Sequence, residues 1–181
     1  MFAKQLFPVF GAMVFVAGVL AAEPAAAKDL RFAAALSGNT MSTMTGSKAT
    51  GQAKISVNTD TQTVDVSLDV EGLKTEDLWT NLAKSPLGAI HLHIYGGHDH
   101  SAAADSALLF PLPMGPTYSA TAKGFHVEVK DAPYAVAAKT VNSKATFDEF
   151  VESLQAGRIV MNIHTNRNND GEISGDVSPV A

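Results

Sequence analysis

The sequence predicts an all-β domain, an antiparallel Greek-key β-sandwich with one or two short helices. Three observations point there. Short runs of alternating apolar and polar residues recur, the cleanest being Thr63–Val70, where Val64, Val66, Leu68 and Val70 oppose Thr63, Asp65, Ser67 and Asp69. Turn-forming residues such as Asn58-Thr59-Asp60 separate the runs. Only two later stretches carry helical spacing. Many short strands set apart by turn chemistry pack as a sandwich or barrel.

Taken in order, Lys4 opens a positive start, Leu6–Ala22 is a nearly unbroken apolar run, and Ala25-Ala26-Ala27 offers small residues. This predicts a secretory signal peptide over residues 1–27, cut after Ala27. A membrane-spanning helix wants about 20 apolar residues. This run is shorter and is interrupted by Pro8, Gly11 and Gly18. Residues 28–181 then form one domain. Leu30–Leu36 is a short apolar strand, and Ser37–Ser47 is a loop rich in Ser, Thr, Gly and Met. Ala49–Val57 and Thr63–Val70 make a hairpin around the Asn58 turn.

Thr75–Lys84 is expected to be helical, with Thr75 as cap, Glu76 and Asp77 in the first turn, Leu78 and Leu82 one turn apart, and Pro86 and Gly88 ending it. The run Ile90-His91-Leu92-His93-Ile94 is a strand. His98–Asp105 is a polar loop, and Ala107–Leu112 is a short strand closed by Pro111, Pro113, Gly115 and Pro116. Tyr118–Val129 holds a second strong alternation, with Phe125, Val127 and Val129 against His126, Glu128 and Lys130. Thr146–Gln155 is a helix, since Phe147, Phe150, Val151 and Leu154 follow its spacing and Gly157 stops it. Arg158–His164 is a strand, Thr165–Asp170 a turn and Glu172–Val177 the last strand.

Composition removes several function classes. Net charge is −5, aromatic residues make up 7%, and no basic stripe exists. Nucleic-acid binding and docking on an anionic membrane both need concentrated positive charge. The chain has no cysteine, which excludes disulfides, thiol nucleophiles, thiolate metal ligands and a lipid-modified cysteine. Any metal would be held by imidazole, carboxylate, amide or water. Gly-x-Ser-x-Gly elbows, phosphate-cradling loops and dinucleotide fingerprints are missing from the sequence.

The histidines carry the chemistry. A strand turns successive side chains to opposite faces. Ile90, Leu92 and Ile94 therefore share a core face, and His91 and His93 share the other, which is expected to be the outer surface. In the later strand Ile159, Met161 and Ile163 alternate with Val160, Asn162 and His164, so His164 again lies opposite the apolar set. Three such imidazoles suit copper or zinc if they converge. His98 and His100, flanking Asp99, are weaker candidates: further ligands, or members of a polar loop. His126 is expected to be a plain surface residue. Asn166, Asn168, Asp170 and Gly171 have calcium-loop spacing, but Val177 stands where the bidentate acid belongs and a strand precedes the run. That segment is therefore a hairpin turn, with Gly171 supplying positive φ.

Four landmarks resemble a known family in their order: Phe32–Gly38, Gly51–Leu73, Ala89–Tyr95, and Gly157–Gly175 with Ile163-His164-Thr165 and Gly171-Glu172-Ile173-Ser174-Gly175. Together they are similar to the CHRD domain, the module repeated in chordin and found singly in exported bacterial proteins. The chain departs from that pattern in the long insert at Thr75–Lys84 and in Ser174, which stands where the family usually has arginine. The resemblance implies a Greek-key sandwich of the superoxide dismutase-like or immunoglobulin-like kind. It also implies a distant similarity to copper/zinc superoxide dismutase, in which His91, His93 and His164 would be copper ligands.

Three functions follow as expectations: a non-catalytic exported module binding a protein or surface partner, a copper or zinc protein, and a dismutase-type redox enzyme. The location expected is periplasmic or extracellular, with no nucleic-acid partner and no membrane attachment after signal cleavage.

Overall fold

The computed structural model describes residues 29–40, 44–94 and 107–180. The expected signal peptide and the candidates His98 and His100 lie outside these residues. The described chain is all-β with short helices, as the alternation predicts. Its first three strands, β1 (Asp29–Ser37), β2 (Thr50–Asn58) and β3 (Thr63–Glu71), form an antiparallel meander. Val64, Val66, Leu68 and Val70 are all buried in the core.

The expected helix at Thr75–Lys84 is instead a 3-10 turn (Thr75–Asp77) followed by the one-turn helix α1 (Thr80–Ala83). The break falls at Leu78 and Trp79. Leu78 forms a β-bridge with Thr165, and the Trp79 N–H donates to the His164 carbonyl at 3.0 Å. Pairing with a distant segment outcompetes local helical propensity, which is a weak preference.

β4 (Ile90–Ile94) and β5 (Ala107–Leu112) pair with a bulge between Leu92 and His93. The alternating run from Tyr118 is two strands rather than one, β6 (Tyr118–Ala120) and β7 (Gly124–Pro133), folded about a turn at Thr121. Helix α2 (Tyr134–Thr140) follows; nothing in the alternation signals it, and it buries Tyr134, Ala137 and Ala138. Helix α3 (Phe147–Gln155) starts one residue after the expected Thr146, which is its cap. Thr146 Oγ1 accepts from the Glu149 N–H, and the Glu149 carboxylate accepts from the Thr146 N–H, a reciprocal cap. β8 (Ile159–Ile163), β9 (Ile173–Asp176) and β10 (Ser178–Pro179) complete the fold.

The strands lie in the order β5-β4-β8-β9-β1-β2-β3-β7-β6, with β10 also beside β1, and all pairs are antiparallel. The non-consecutive neighbours β4/β8, β9/β1 and β3/β7 are crossovers of the Greek-key kind. The two layers of the sandwich are thus one curled path, a half-barrel around a single apolar core to which both contribute. The corner between them is the pair Ser37–Ser174, and there Gly175 lies so close to β1 that a Cβ would sit 2.3 Å from the Ala35 carbonyl oxygen.

Candidate metal centre

On β4, Ile90 and Leu92 are fully buried in the core, so His91 and His93 occupy the other face. β8 runs alongside, with Asn162 across from His91 and Val160 across from His93. Ile159, Met161 and Ile163 face the core; Val160 is equally buried but lies outside the core cluster. His164 follows β8 immediately, and its N–H donates to the Ala89 carbonyl at 2.9 Å. Register alone therefore brings the three histidines to one place. Ring centroids lie 5.6 Å apart for His91–His93, 5.2 Å for His91–His164 and 6.0 Å for His93–His164. One nitrogen from each ring can be chosen so that all lie within 4.8 Å of one another. Nitrogens at zinc-bond distance in a tetrahedron are about 3.3 Å apart, so small ring rotations would close the set on an ion.

The histidine face is not the outer surface that the alternation suggested. His91, His93 and His164 are only 2%, 9% and 8% exposed. A period of two separates the faces of a strand but says nothing about what covers the second one. Here the insert before β4 packs over it. The Trp79 ring lies 6.4 Å from that of His164. Asn166 docks the insert: its Oδ1 accepts from the Thr80 N–H and hydroxyl, and its Nδ2 donates to the Leu78 carbonyl. Asn166 belongs to the segment read as a hairpin turn, so its docking role carried no sequence signal. Gly171 does supply the positive φ expected there, at +136°.

The surroundings fix ring chemistry. His164 Nδ1 lies 2.8 Å from the Asn169 carbonyl oxygen. A carbonyl only accepts, so Nδ1 carries the proton and Nε2 keeps its lone pair. Nε2 has no hydrogen-bond partner, whereas His91 has the backbone of Leu87 and Gly88 beside its ring. Burial, then repulsion from His164 and His93, lowers His91 to about 3, although the Gly88 and Leu87 backbone opposes the shift. Burial, then His164, lowers His93 to about 4. Burial lowers His164 as well, against the Asn169 contact and Asp170. All three are neutral near pH 7, the form that ligates metal.

The turn beyond His164 is held by Glu172. Its buried carboxylate accepts from the Thr165 hydroxyl at 3.0 Å and from Asn168 Nδ2. Burial pushes the Glu172 carboxyl up, but hydrogen bonds from Ser47, Asn168 and Thr165 outweigh it and leave it below the usual range. Ser174, where the resemblance led to arginine, is fully buried and pairs with Asn162. A neutral hydroxyl therefore continues the row His91–Asn162–Ser174 across the layer. His126 sits elsewhere, on β7, partly exposed between Asp69 (2.8 Å) and Glu128 (3.4 Å). A polar cleft of about 780 Å³ opens beyond the Thr165–Glu172 turn, with Ser47, Lys48, Asp77 and Arg167 on its walls.

An antiparallel all-β domain with three buried, neutral imidazoles gathered on one layer defines a class: sandwich-like domains whose histidine cluster could hold a metal. The family follows from comparison. The CHRD domain model matches residues 32–177, and the chain belongs to the CHRD domain family. No curated protein matches the sequence closely enough to count as a relative. Among the described residues, no helix is long and apolar enough to cross a membrane.

Proposed function

We propose that this is an exported, non-catalytic CHRD-domain protein that holds one copper or zinc ion through His91, His93 and His164. The observation that carries the proposal is the convergence of three buried ring nitrogens within 4.8 Å. Burying a ring nitrogen without a hydrogen bond is unfavourable, and a metal would satisfy the orphaned Nε2 of His164. The apolar run and small residues at the N-terminus support export. Storage or delivery suits the site better than dismutation: among the described residues no bridging histidine accompanies the three, and the sequence lacks the cysteine pair of the dismutases.

The test is metal analysis of the untagged protein. We expect one equivalent of copper or zinc, lost in His91→Ala and His164→Ala. Trp79 is the chain's single tryptophan and lies beside His164, so Cu(II) should also quench its fluorescence stoichiometrically. A protein that takes up neither ion overturns the proposal. The remaining reading is then a metal-free module that binds a protein or surface partner, favoured by the polar cleft beyond the Thr165–Glu172 turn.

A further inference from the structure

We infer that Glu172 is a positioning residue for the three-histidine site: its buried carboxylate holds the turn whose Asn169 carbonyl fixes the ring of His164. The inference deepens the metal-holding proposal and rests on it for its purpose, but its first test needs no metal.

Ile163 pairs with Ile173, and residues 164–172 form the turn between β8 and β9. That turn closes around one hydroxyl. Thr165 Oγ1 donates to Glu172 Oε2 at 3.0 Å. It accepts from the backbone N–H groups of Arg167 at 3.3 Å and Asn168 at 3.0 Å. A hydroxyl has one proton to give, and an ionised carboxylate only accepts. Glu172 therefore takes that proton and leaves the Thr165 lone pairs to the backbone. The same carboxylate oxygen accepts from Asn168 Nδ2, and the Thr165 N–H donates to the Asn168 carbonyl at 3.1 Å. Asn168 is thus held by side chain and backbone. The next residue is Asn169, whose carbonyl oxygen lies 2.8 Å from His164 Nδ1.

Glu172 is itself anchored. It is 5% exposed. Its N–H donates to the Ile163 carbonyl at 2.7 Å, and its carbonyl accepts from the Thr45 hydroxyl at 2.8 Å. The contacts therefore run from a fixed carboxylate through Thr165 and Asn168 to the partner of the His164 ring. What they transmit is position. With the Asn169 carbonyl in place, Nδ1 keeps the proton and Nε2 keeps the lone pair that a metal needs. Two other groups act on the same turn. Asn162 Nδ2 donates to the Asp170 carbonyl at 3.3 Å, and the Asp170 charge acts on His164. Mutation can separate that charge from the positioning by Glu172.

The experiment is long-range proton–nitrogen NMR on the untagged, metal-free full chain, labelled at histidine and held near neutral pH. His164 should be the Nδ1–H tautomer in the parent protein. It should stay so in Glu172→Gln, which keeps an oxygen for Thr165 and Asn168, and in Asp170→Asn. Glu172→Ala should mix the tautomers and weaken Zn(II), measured by chelator competition, by about tenfold or more. Asn168→Ala, at a partly exposed residue, should move both readouts the same way by less. A Glu172→Ala protein that folds, judged by circular dichroism, and keeps the parent tautomer overturns the inference. So does a change in Glu172→Gln or Asp170→Asn as large as in Glu172→Ala, since charge rather than position would then set the ring. If Glu172→Ala does not fold, an Asn168→Ala protein with the parent tautomer and affinity overturns it instead. Parent protein that takes up neither copper nor zinc overturns the metal-holding proposal, and the tautomer result stands apart from it.

Discussion

His164 is fixed from two sides: its backbone N–H is bonded to Ala89 and its ring Nδ1 to the Asn169 carbonyl. The ring therefore presents Nε2 without needing a metal to order it, which is how an outer hydrogen bond prepares a ligand. The same closeness makes the three rings acid-sensitive. His91 titrates near 3 and His93 near 4 when folded, and His164 is shifted the same way, against 6.5 for an unperturbed histidine. Between those limits the unfolded chain binds more protons than the folded one, so stability rises with pH there. Metal-free protein should keep full stability above pH 6.5 and lose it steadily as pH falls toward 4. Urea midpoints at pH 7, 5.5 and 4.5 measure this, and His91→Asn should flatten the decline. Midpoints that do not move across this range would contradict the burial of these rings.

At the scale of elements, the insert before β4 matters most. Asn166 joins it to the end of β8, and Asn166→Ala should cost about 1–2 kcal/mol of stability. The same change should raise solvent exchange at the histidine ring protons in NMR spectra, because the cover loosens. Unaltered exchange would mean that the insert is held mainly by Leu78 and Trp79. This element also shows where sequence reasoning stops. Local rules placed α3 to within one residue, because the spacing of Phe147, Phe150, Val151 and Leu154 and the stop at Gly157 are local properties. They found the faces of β4 and β8, because period two is a local property. They failed at Leu78–Trp79, where the partners are Thr165 and His164, and missed α2, whose small residues carry no strong period. Burial of the histidines is a tertiary fact: no spacing within Ile90–Ile94 encodes the segment that folds over it.

Across the whole molecule, a single core under one curled sheet explains why the family match spans nearly all of the described chain. The strands have no independent half to fall back on, since Phe32, Ile55, Leu92 and Met161 share one cluster. The corner at Ser37, Ser174 and Gly175 joins the first strand to the last ones, where β10 also lies against Phe32 and Ala33. During synthesis, β1 emerges long before the strands that complete its edge. Non-local pairing of this kind delays folding, so the domain should stay open until the ribosome has made residues 173–179. Nascent chains stalled before Ile173 should be digested rapidly by protease, and chains released whole should resist it. The corner thus acts as a timer, holding the polypeptide open until its final segment arrives.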